Sequence, residues 1–293
     1  WTRRGARRGG GVVLLCLSAF LPGCHRAPRT LPAGGRGAPT VTVPLGMPGA
    51  CSLAGVAPEV IEVPDAAPSE WHGRFDLPDY PRFWQPAAGD REIARFRDSV
   101  RARLGSEPEA RALIERQRKI FAAMPGDWSG EANNATLLLA GGAGRVAPIS
   151  CLEAMLWKWQ AARFPMLVHP TEFGALILRR SGEVRVYLSS ADLVGQRFRS
   201  TIADHVRRDL ADGFRLVAHL HNHPFLFDRV VGDRMWTVDG TVRDVAGALA
   251  PSMADVQFYR SLRGSLGLAE GWVTNGMQSA HFGAREFDLL TGR

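Results

Sequence analysis

The spacing of apolar residues in the first half of the chain predicts helices. Between Ile93 and Leu104 apolar side chains recur every three or four residues, as on one face of a helix. The stretch Ser106-Glu-Pro-Glu109 resembles a capping box, which predicts a second helix ending near Met124. The glycine-rich stretch 141–144 predicts a hairpin or loop, because it lacks the GxGxxG pattern of a dinucleotide-binding turn. Residues 57–147 are therefore predicted to form a mainly helical N-terminal region.

The pattern changes to strands alternating with helices after residue 148. Ser150-Cys-Leu-Glu153 is a second capping box and predicts a helix that ends near Pro165. Two β-rich stretches, 172–178 and 183–188, flank the turn-forming pair Ser181-Gly182. This arrangement predicts a hairpin.

Further helices and strands follow the hairpin. Apolar spacing predicts a helix around 202–210, a strand over 214–221 and a helix over 252–262. The stretches 271–274 and 280–282 resemble closing strands. Strands that alternate with helices predict an α/β or α+β sandwich, in which a mixed β-sheet is flanked by helices. The helical region before residue 148 would be an N-terminal extension of this fold.

The N-terminus has the composition of an export signal. Four arginines precede the apolar stretch 11–21, which is long enough for a signal-peptide core and too short to span a bilayer. The sequence Leu21-Pro22-Gly23-Cys24 resembles the bacterial lipobox, although proline is unusual at its second position. The resemblance implies a signal peptide over 1–23, lipid attachment at Cys24 and an exported protein anchored to the membrane. Residues 24–56 are rich in Pro, Gly and Ala, which predicts a flexible tether.

Composition and charge narrow the remaining possibilities. Apolar residues make up 45% of the chain and charged residues 22%, as in a globular protein with a sizeable core. Loss of the predicted signal peptide would remove four arginines and no acidic residue, so the formal charge of +7 would fall to +3. Nucleic-acid binding is not expected, because no basic run is interleaved with aromatic residues. Cys51 and Cys151 would be the remaining cysteines, and an oxidising compartment makes them candidates for a disulfide.

Three histidines occupy alternate positions in His219-Leu-His221-Asn-His223. Alternate residues of a strand point to the same face, so the three rings would share one side of a sheet. At about 3.3 Å per residue, His219 and His223 would lie about 13 Å apart, too far for both to reach one ion through bonds of about 2 Å. Only a neighbouring pair can chelate an ion, either His221 with His223 or, as the alternative, His219 with His221.

A catalytic zinc site also needs a third protein ligand and a base. Ser252 and Asp255 lie one turn apart at the start of a predicted helix, so their hydroxyl and carboxylate would point to one place. Glu172 stands at the start of a predicted strand, where a carboxylate facing a core would be costly. It is therefore a candidate base beside the metal.

Together these residues resemble the motif of the JAMM (MPN-plus) metalloproteases. The order Glu172, then His221-Asn-His223-Pro224, then Ser252-x-x-Asp255 is similar to the family pattern E…HxHP…SxxD. The resemblance covers about residues 148–285 and includes the order of helices and strands between the motif residues. It implies a JAB/MPN-like metallohydrolase domain over 148–293.

The resemblance also implies a role for each residue. His221, His223 and Asp255 would bind Zn2+, which lowers the pKa of a coordinated water. Glu172 would act as general base, and Ser252 would donate a hydrogen bond to the substrate oxygen on which charge develops. The implied activity is hydrolysis of an amide bond, peptide or isopeptide, in a peptide or protein substrate.

One stretch departs from the family pattern. The family usually has its serine shortly after His-Pro, whereas here residues 225–250 intervene. We interpret this stretch as an insert over the cleft, in which Trp236 and nearby glycines suit a lid. The alternative is that an aspartate of the insert replaces Asp255 as ligand. The candidates are Asp228, Asp233, Asp239 and Asp244.

A protein of another class is the main alternative to a hydrolase. A catalytically inactive MPN-like scaffold, anchored to the membrane, would bind a partner through the helical region and the insert. Such a scaffold has no need of Glu172 together with Ser252 and a complete ligand set, so the pattern favours the enzyme. Two imidazoles and a carboxylate suit zinc but tolerate other first-row ions. The sequence does not determine the oligomeric state.

Overall fold

The computed structural model describes residues 51–123, 128–195, 198–225 and 247–292. The predicted signal peptide, Cys24 and the tether up to residue 50 lie outside the described residues. The same holds for residues 226–246, which include Trp236 and all four aspartates of the predicted insert. Within the described ranges, no helix is both long and apolar enough to cross a membrane.

One mixed sheet forms the centre of the fold, with eight strands in the described part of the chain. The strands are β1 Glu59–Val60, β2 Trp71–Pro78, β3 Arg145–Pro148, β4 Phe173–Arg180, β5 Glu183–Ser190, β6 Arg215–Asn222, β7 Glu270–Thr274 and β8 Gln278–Gly283. Their order across the sheet is β1-β2-β5-β4-β6-β7-β8-β3. Among these described strands only β6 and β7 run parallel, whereas every other neighbouring pair is antiparallel.

Six α-helices in the described ranges flank the sheet. They are α1 Arg91–Leu104, α2 Ala110–Ala123, α3 Ser129–Ala140, α4 Cys151–Arg163, α5 Ser200–Ala211 and α6 Met253–Leu266. Short 3-10 turns occupy Pro81–Trp84 and Glu286–Asp288. The mixed α/β architecture agrees with the fold class predicted from the alternating pattern.

Local signals account for several helix boundaries. The Asp90 side chain accepts hydrogen bonds from the first backbone amides of α1, and Gly105 ends that helix in a left-handed conformation. Ser150 and Glu153 form the predicted capping box of α4. The predicted box at Ser106 is wrong, since α2 begins at Ala110. A proline at position 108 disfavours helical backbone at Glu107, so the helix does not extend back to Ser106.

The region 57–147 is more than a helical extension. It contains α1, α2 and α3, but β2 pairs along its whole length with β5 and so belongs to the main sheet. The sequence pattern did not predict β2, because it includes the weak strand formers Gly73, Asp76 and Pro78. It also missed α3, in which Gly130 and two asparagines lower the helix propensity.

The two faces of the sheet carry separate apolar cores. One core joins α4 to side chains such as Phe75, Ala175 and Leu220. The other joins α5 and α6 to the opposite face, where Leu176 and Val273 are buried. Strand alternation assigns odd positions of β4 to the α4 face and even positions to the α6 face.

A disulfide fixes the start of the described chain to helix α4. Cys51 and Cys151, the pair named above as candidates, are bonded, with their Cα atoms 5.0 Å apart. Cys51 and the nearby Leu53 are buried in the core beside α4. The folded chain therefore begins before the tether boundary predicted at residue 56.

Candidate metal centre

Strand β6 carries two histidines to one end of the sheet. His221 is buried and lies opposite Gly174 of β4 on one side and Val273 of β7 on the other. His223 follows the end of β6, where its backbone N–H donates to the carbonyl of Thr274 at 2.9 Å. The two rings therefore project from the end of a rigid strand into the space beside α6.

Helix α6 brings a carboxylate to the same place through its N-terminal cap. The Ser252 hydroxyl accepts from the backbone N–H of Asp255 at 3.1 Å, and Asp255 Oδ2 accepts from the backbone N–H of Ser252 at 2.8 Å. This reciprocal pair is a capping box, so the local rule that starts the helix also fixes the orientation of the carboxylate.

The three donor side chains are close enough to share one ion. One donor atom each from His221, His223 and Asp255 lies within 4.8 Å of the others, and the described residues hold no second group of this kind. The two Nε2 atoms are 3.1 Å apart; that of His221 lies 3.4 Å from Asp255 Oδ1, and that of His223 lies 3.4 Å from Asp255 Oδ2. Tetrahedral zinc with bonds of about 2.0–2.1 Å requires its ligand atoms to be about 3.3 Å apart, a spacing that the two nitrogens match with each other and each with its nearer Asp255 oxygen.

The other nitrogen of each ring faces an internal partner. His223 Nδ1 lies 3.2 Å from the carbonyl of Ala248, which can only accept, so the hydrogen belongs on Nδ1 and Nε2 keeps its lone pair. His221 Nδ1 lies 3.5 Å from the hydroxyl of Tyr259, a buried residue one turn after Asp255 on α6. The Ala248 carbonyl therefore favours the tautomer of His223 in which Nε2 is the donor to a metal, whereas the Tyr259 hydroxyl can donate or accept and is compatible with either tautomer of His221.

Glu172 lies beside the three donors without bonding to them. It precedes β4, and its backbone N–H donates to the carbonyl of Leu193 at 3.0 Å. Burial raises the pKa of Glu172 to about 7, and the negative charge of Asp255 adds to this against the opposing effect of His223. A carboxyl group with a pKa near neutrality can both accept and return a proton at physiological pH.

The electrostatics of the donors follow from their mutual contacts. Burial alone would raise the pKa of Asp255, but His221 and His223 hold it well below the usual range. Burial lowers the pKa of His221, against the effect of Asp255. For His223 burial also acts to lower the pKa, yet Asp255 and Glu172 outweigh it and the pKa is raised. Asp255 therefore favours the charged form of His223, and the histidines favour the charged form of Asp255.

Ser252 contacts the donor group, whereas His219 lies outside it. The Ser252 hydroxyl donates to Asp255 Oδ2 at 2.8 Å, so it lies beside the donor group. His219 is buried among aromatic rings, with centroids 5.4 Å from Phe198 and 5.0 Å from Phe258. His219 is not part of the donor group found among the described residues.

Three neighbouring side chains were not singled out from the sequence. Asn222 lies between the two histidines and hydrogen-bonds to the segment that carries Glu172. Gln160 of α4 also contacts this segment, donating to the Thr171 hydroxyl at 2.8 Å. Tyr259 faces His221. Of these three, only Asn222 had a local signal in the sequence, because it is a polar residue between two candidate ligands at the end of a buried strand.

Comparison of the chain with models of known protein families, with curated proteins and with solved structures gives no match.

Proposed function

We propose that the protein is a zinc-dependent amide-bond hydrolase of the JAMM type, with a JAB/MPN-like fold around its sheet. The observation that carries this proposal is the convergence of His221, His223 and Asp255 beside the raised-pKa carboxyl of Glu172. Along the chain Glu172 precedes β4, the two histidines lie at the end of β6, and Asp255 lies in α6, which is the order of the family motif.

Each of these residues would have its own role in hydrolysis. A zinc ion held by His221, His223 and Asp255 would act as a Lewis acid that makes water acidic and polarises a carbonyl. Glu172 would take a proton from the attacking water and return it to the leaving amine, for which a pKa near 7 is well matched. Ser252 would donate its hydroxyl hydrogen to the developing oxyanion, which requires it to turn from Asp255.

We further propose that the enzyme is exported and tethered to a membrane through a lipid on Cys24. The Cys51–Cys151 disulfide supports this location, since such bonds persist in oxidising compartments. A peptide or protein outside the cytoplasm would then be the substrate.

Elemental analysis of the purified full chain tests the metal assignment. We expect one zinc per chain in the wild type and in Glu172→Gln, and none in Asp255→Ala or His223→Ala. His205→Ala on α5 is the matched control and should retain the ion. Zinc in Asp255→Ala would show that another residue completes the site.

Hydrolysis of a peptide library by the same proteins tests the reaction. Glu172→Gln should keep its zinc and lose turnover, because glutamine cannot accept the proton. A wild-type chain that binds zinc but cleaves no peptide or isopeptide would instead favour the non-catalytic scaffold.

A further inference from the structure

Asn222 makes two hydrogen bonds to the backbone on either side of Glu172. Its side chain is fully buried at the end of β6, between the two histidines. Asn222 Oδ1 accepts from the backbone N–H of Phe173 at 2.8 Å, and Nδ2 donates to the carbonyl of Thr171 at 3.0 Å. One amide therefore binds the residue before Glu172 and the residue after it.

These two bonds stand where a backbone ladder would otherwise continue. The antiparallel pairing of β4 with β6 reaches Gly174 opposite His221 and stops there. Continued pairing would set Glu172 opposite His223, with both strands joined through their own peptide groups. The Asn222 side chain supplies the donor and the acceptor that a peptide group would have supplied, so a side chain occupies the gap between the strands.

The pair of hydrogen bonds from the Asn222 side chain, here called the clamp, lies on the α4 side of the sheet. Asn222 has the same strand parity as Leu220, whose side chain lies in the α4 core. From α4, Gln160 Nε2 adds a hydrogen bond to the Thr171 hydroxyl at 2.8 Å. With the backbone held on the α4 side, the Glu172 carboxyl is directed to the opposite side. There it is hydrogen-bonded to the backbone of Gly195 and interacts electrostatically with His223 and Asp255, and it forms no hydrogen bond with either of these two described residues.

We propose that Asn222 is a positioning residue, whose side-chain amide holds the Glu172 carboxyl beside the three donors without letting it join them. A carboxylate at bonding distance from the ion would become a fourth ligand. A carboxylate held farther from the ion can instead accept a proton from the attacking water. This inference deepens the proposed hydrolase function and rests on it for the role of Glu172. The clamp itself is a property of the metal-free chain.

Amide hydrogen exchange of the metal-free full chain tests the clamp. In Asn222→Ala we expect the Phe173 amide to exchange at least tenfold faster than in the wild type, relative to the Ile177 amide in the middle of β4. Asn222→Asp should retain part of this protection, because one carboxylate oxygen still accepts from Phe173 while the other no longer donates to Thr171. Asn275→Ala, which removes another buried amide, is the matched control and should leave the ratio unchanged. An unchanged ratio in Asn222→Ala would overturn the proposal.

Steady-state kinetics separates positioning from metal binding. We expect Asn222→Ala to keep one zinc per chain and a wild-type KM, while kcat falls at least tenfold. Zinc lost together with kcat would mean that Asn222 supports the ligands, and an unchanged kcat would mean that it does not position the base; either result overturns the proposal. Should the wild type bind no zinc or cleave nothing, the proposed function fails, and the exchange ratio alone decides whether Asn222 holds the Glu172 segment.

Discussion

Replacing Glu172 with glutamine should stabilise the metal-free protein at alkaline pH. Burial, with a contribution from Asp255, raises the pKa of Glu172 from an ordinary 4.5 to about 7 in the folded chain. Between these two values the folded protein holds a proton that the unfolded chain has released. The free energy of unfolding therefore falls as pH rises through this range. Glutamine has nearly the same shape and does not titrate, so the variant escapes this loss.

The size of the effect follows from the same pKa values. A change from 4.5 to about 7, at about 1.4 kcal/mol for each tenfold change in proton affinity, gives about 3 kcal/mol. The difference between the variant and the wild type should be smallest below pH 4.5 and complete above pH 7. The other titrating groups are present in both proteins, so their contributions largely cancel. For a domain of this size about 3 kcal/mol corresponds to roughly 6–12 °C in Tm.

Urea unfolding in the presence of a chelator measures this difference. Wild type and Glu172→Gln are compared at pH 4, 6 and 8, and the stability gained by the variant between pH 4 and 8 is the quantity of interest. Glu172→Ala provides the control, since it should show the same pH dependence with a constant offset from its lost contacts. If the free energies of unfolding of the wild type and Glu172→Gln stay parallel from pH 4 to 8, burial does not desolvate this carboxyl in the folded protein. Glu172 would then not be a base poised near neutrality.

Two further predictions concern the framework around the site. Replacing both Cys51 and Cys151 with serine should lower the free energy of unfolding by about 4–5 kcal/mol, because the bond closes a loop of 100 residues in the unfolded chain. Urea unfolding measures this, and dithiothreitol should affect only the wild type; equal stability of the two proteins would contradict it. Gly271→Ala should cost about 1–3 kcal/mol, since its Cβ would lie 2.6 Å from the Tyr259 ring. In thermal unfolding, Gly264→Ala on α6 is the control with open space, and a Gly271 variant as stable as this control would show that the ring can move.

Strong local signals were the part of the fold that the sequence predicted well. The capping box that starts α4 is a contact between residues three apart, so its outcome depends little on the rest of the chain. The β4–β5 hairpin has a similarly local cause, because Gly182 adopts the positive φ of 77° that its turn requires. Elements stabilised by distant contacts were missed. In α3, Asn134 donates to the carbonyls of Pro251 and Thr291, which compensates for its weak helix propensity.

The same difference between local signals and distant contacts holds for the candidate site. The motif predicted the residues whose side chains meet at the candidate metal centre, because the types and order of these residues can be read from the sequence. It could not identify the residues behind them, because Tyr259 reaches His221 only through the packing of α6 on the sheet. Gly271 gives no signal of its own either, although it leaves the space that the Tyr259 ring occupies. Such contacts join residues far apart in sequence, so no local pattern records them.

The geometry of the donors has a cause that does not depend on an ion. Holding His221 and His223 with their Nε2 atoms 3.1 Å apart would be unfavourable if both rings were charged. The capping box removes this difficulty by fixing Asp255 between them, where its negative charge favours a proton on His223. A divalent cation would take the place of that proton among the same three groups. The helix cap that starts α6 thus also assembles the centre in advance, and this links the most local signal in the sequence to the proposed chemistry.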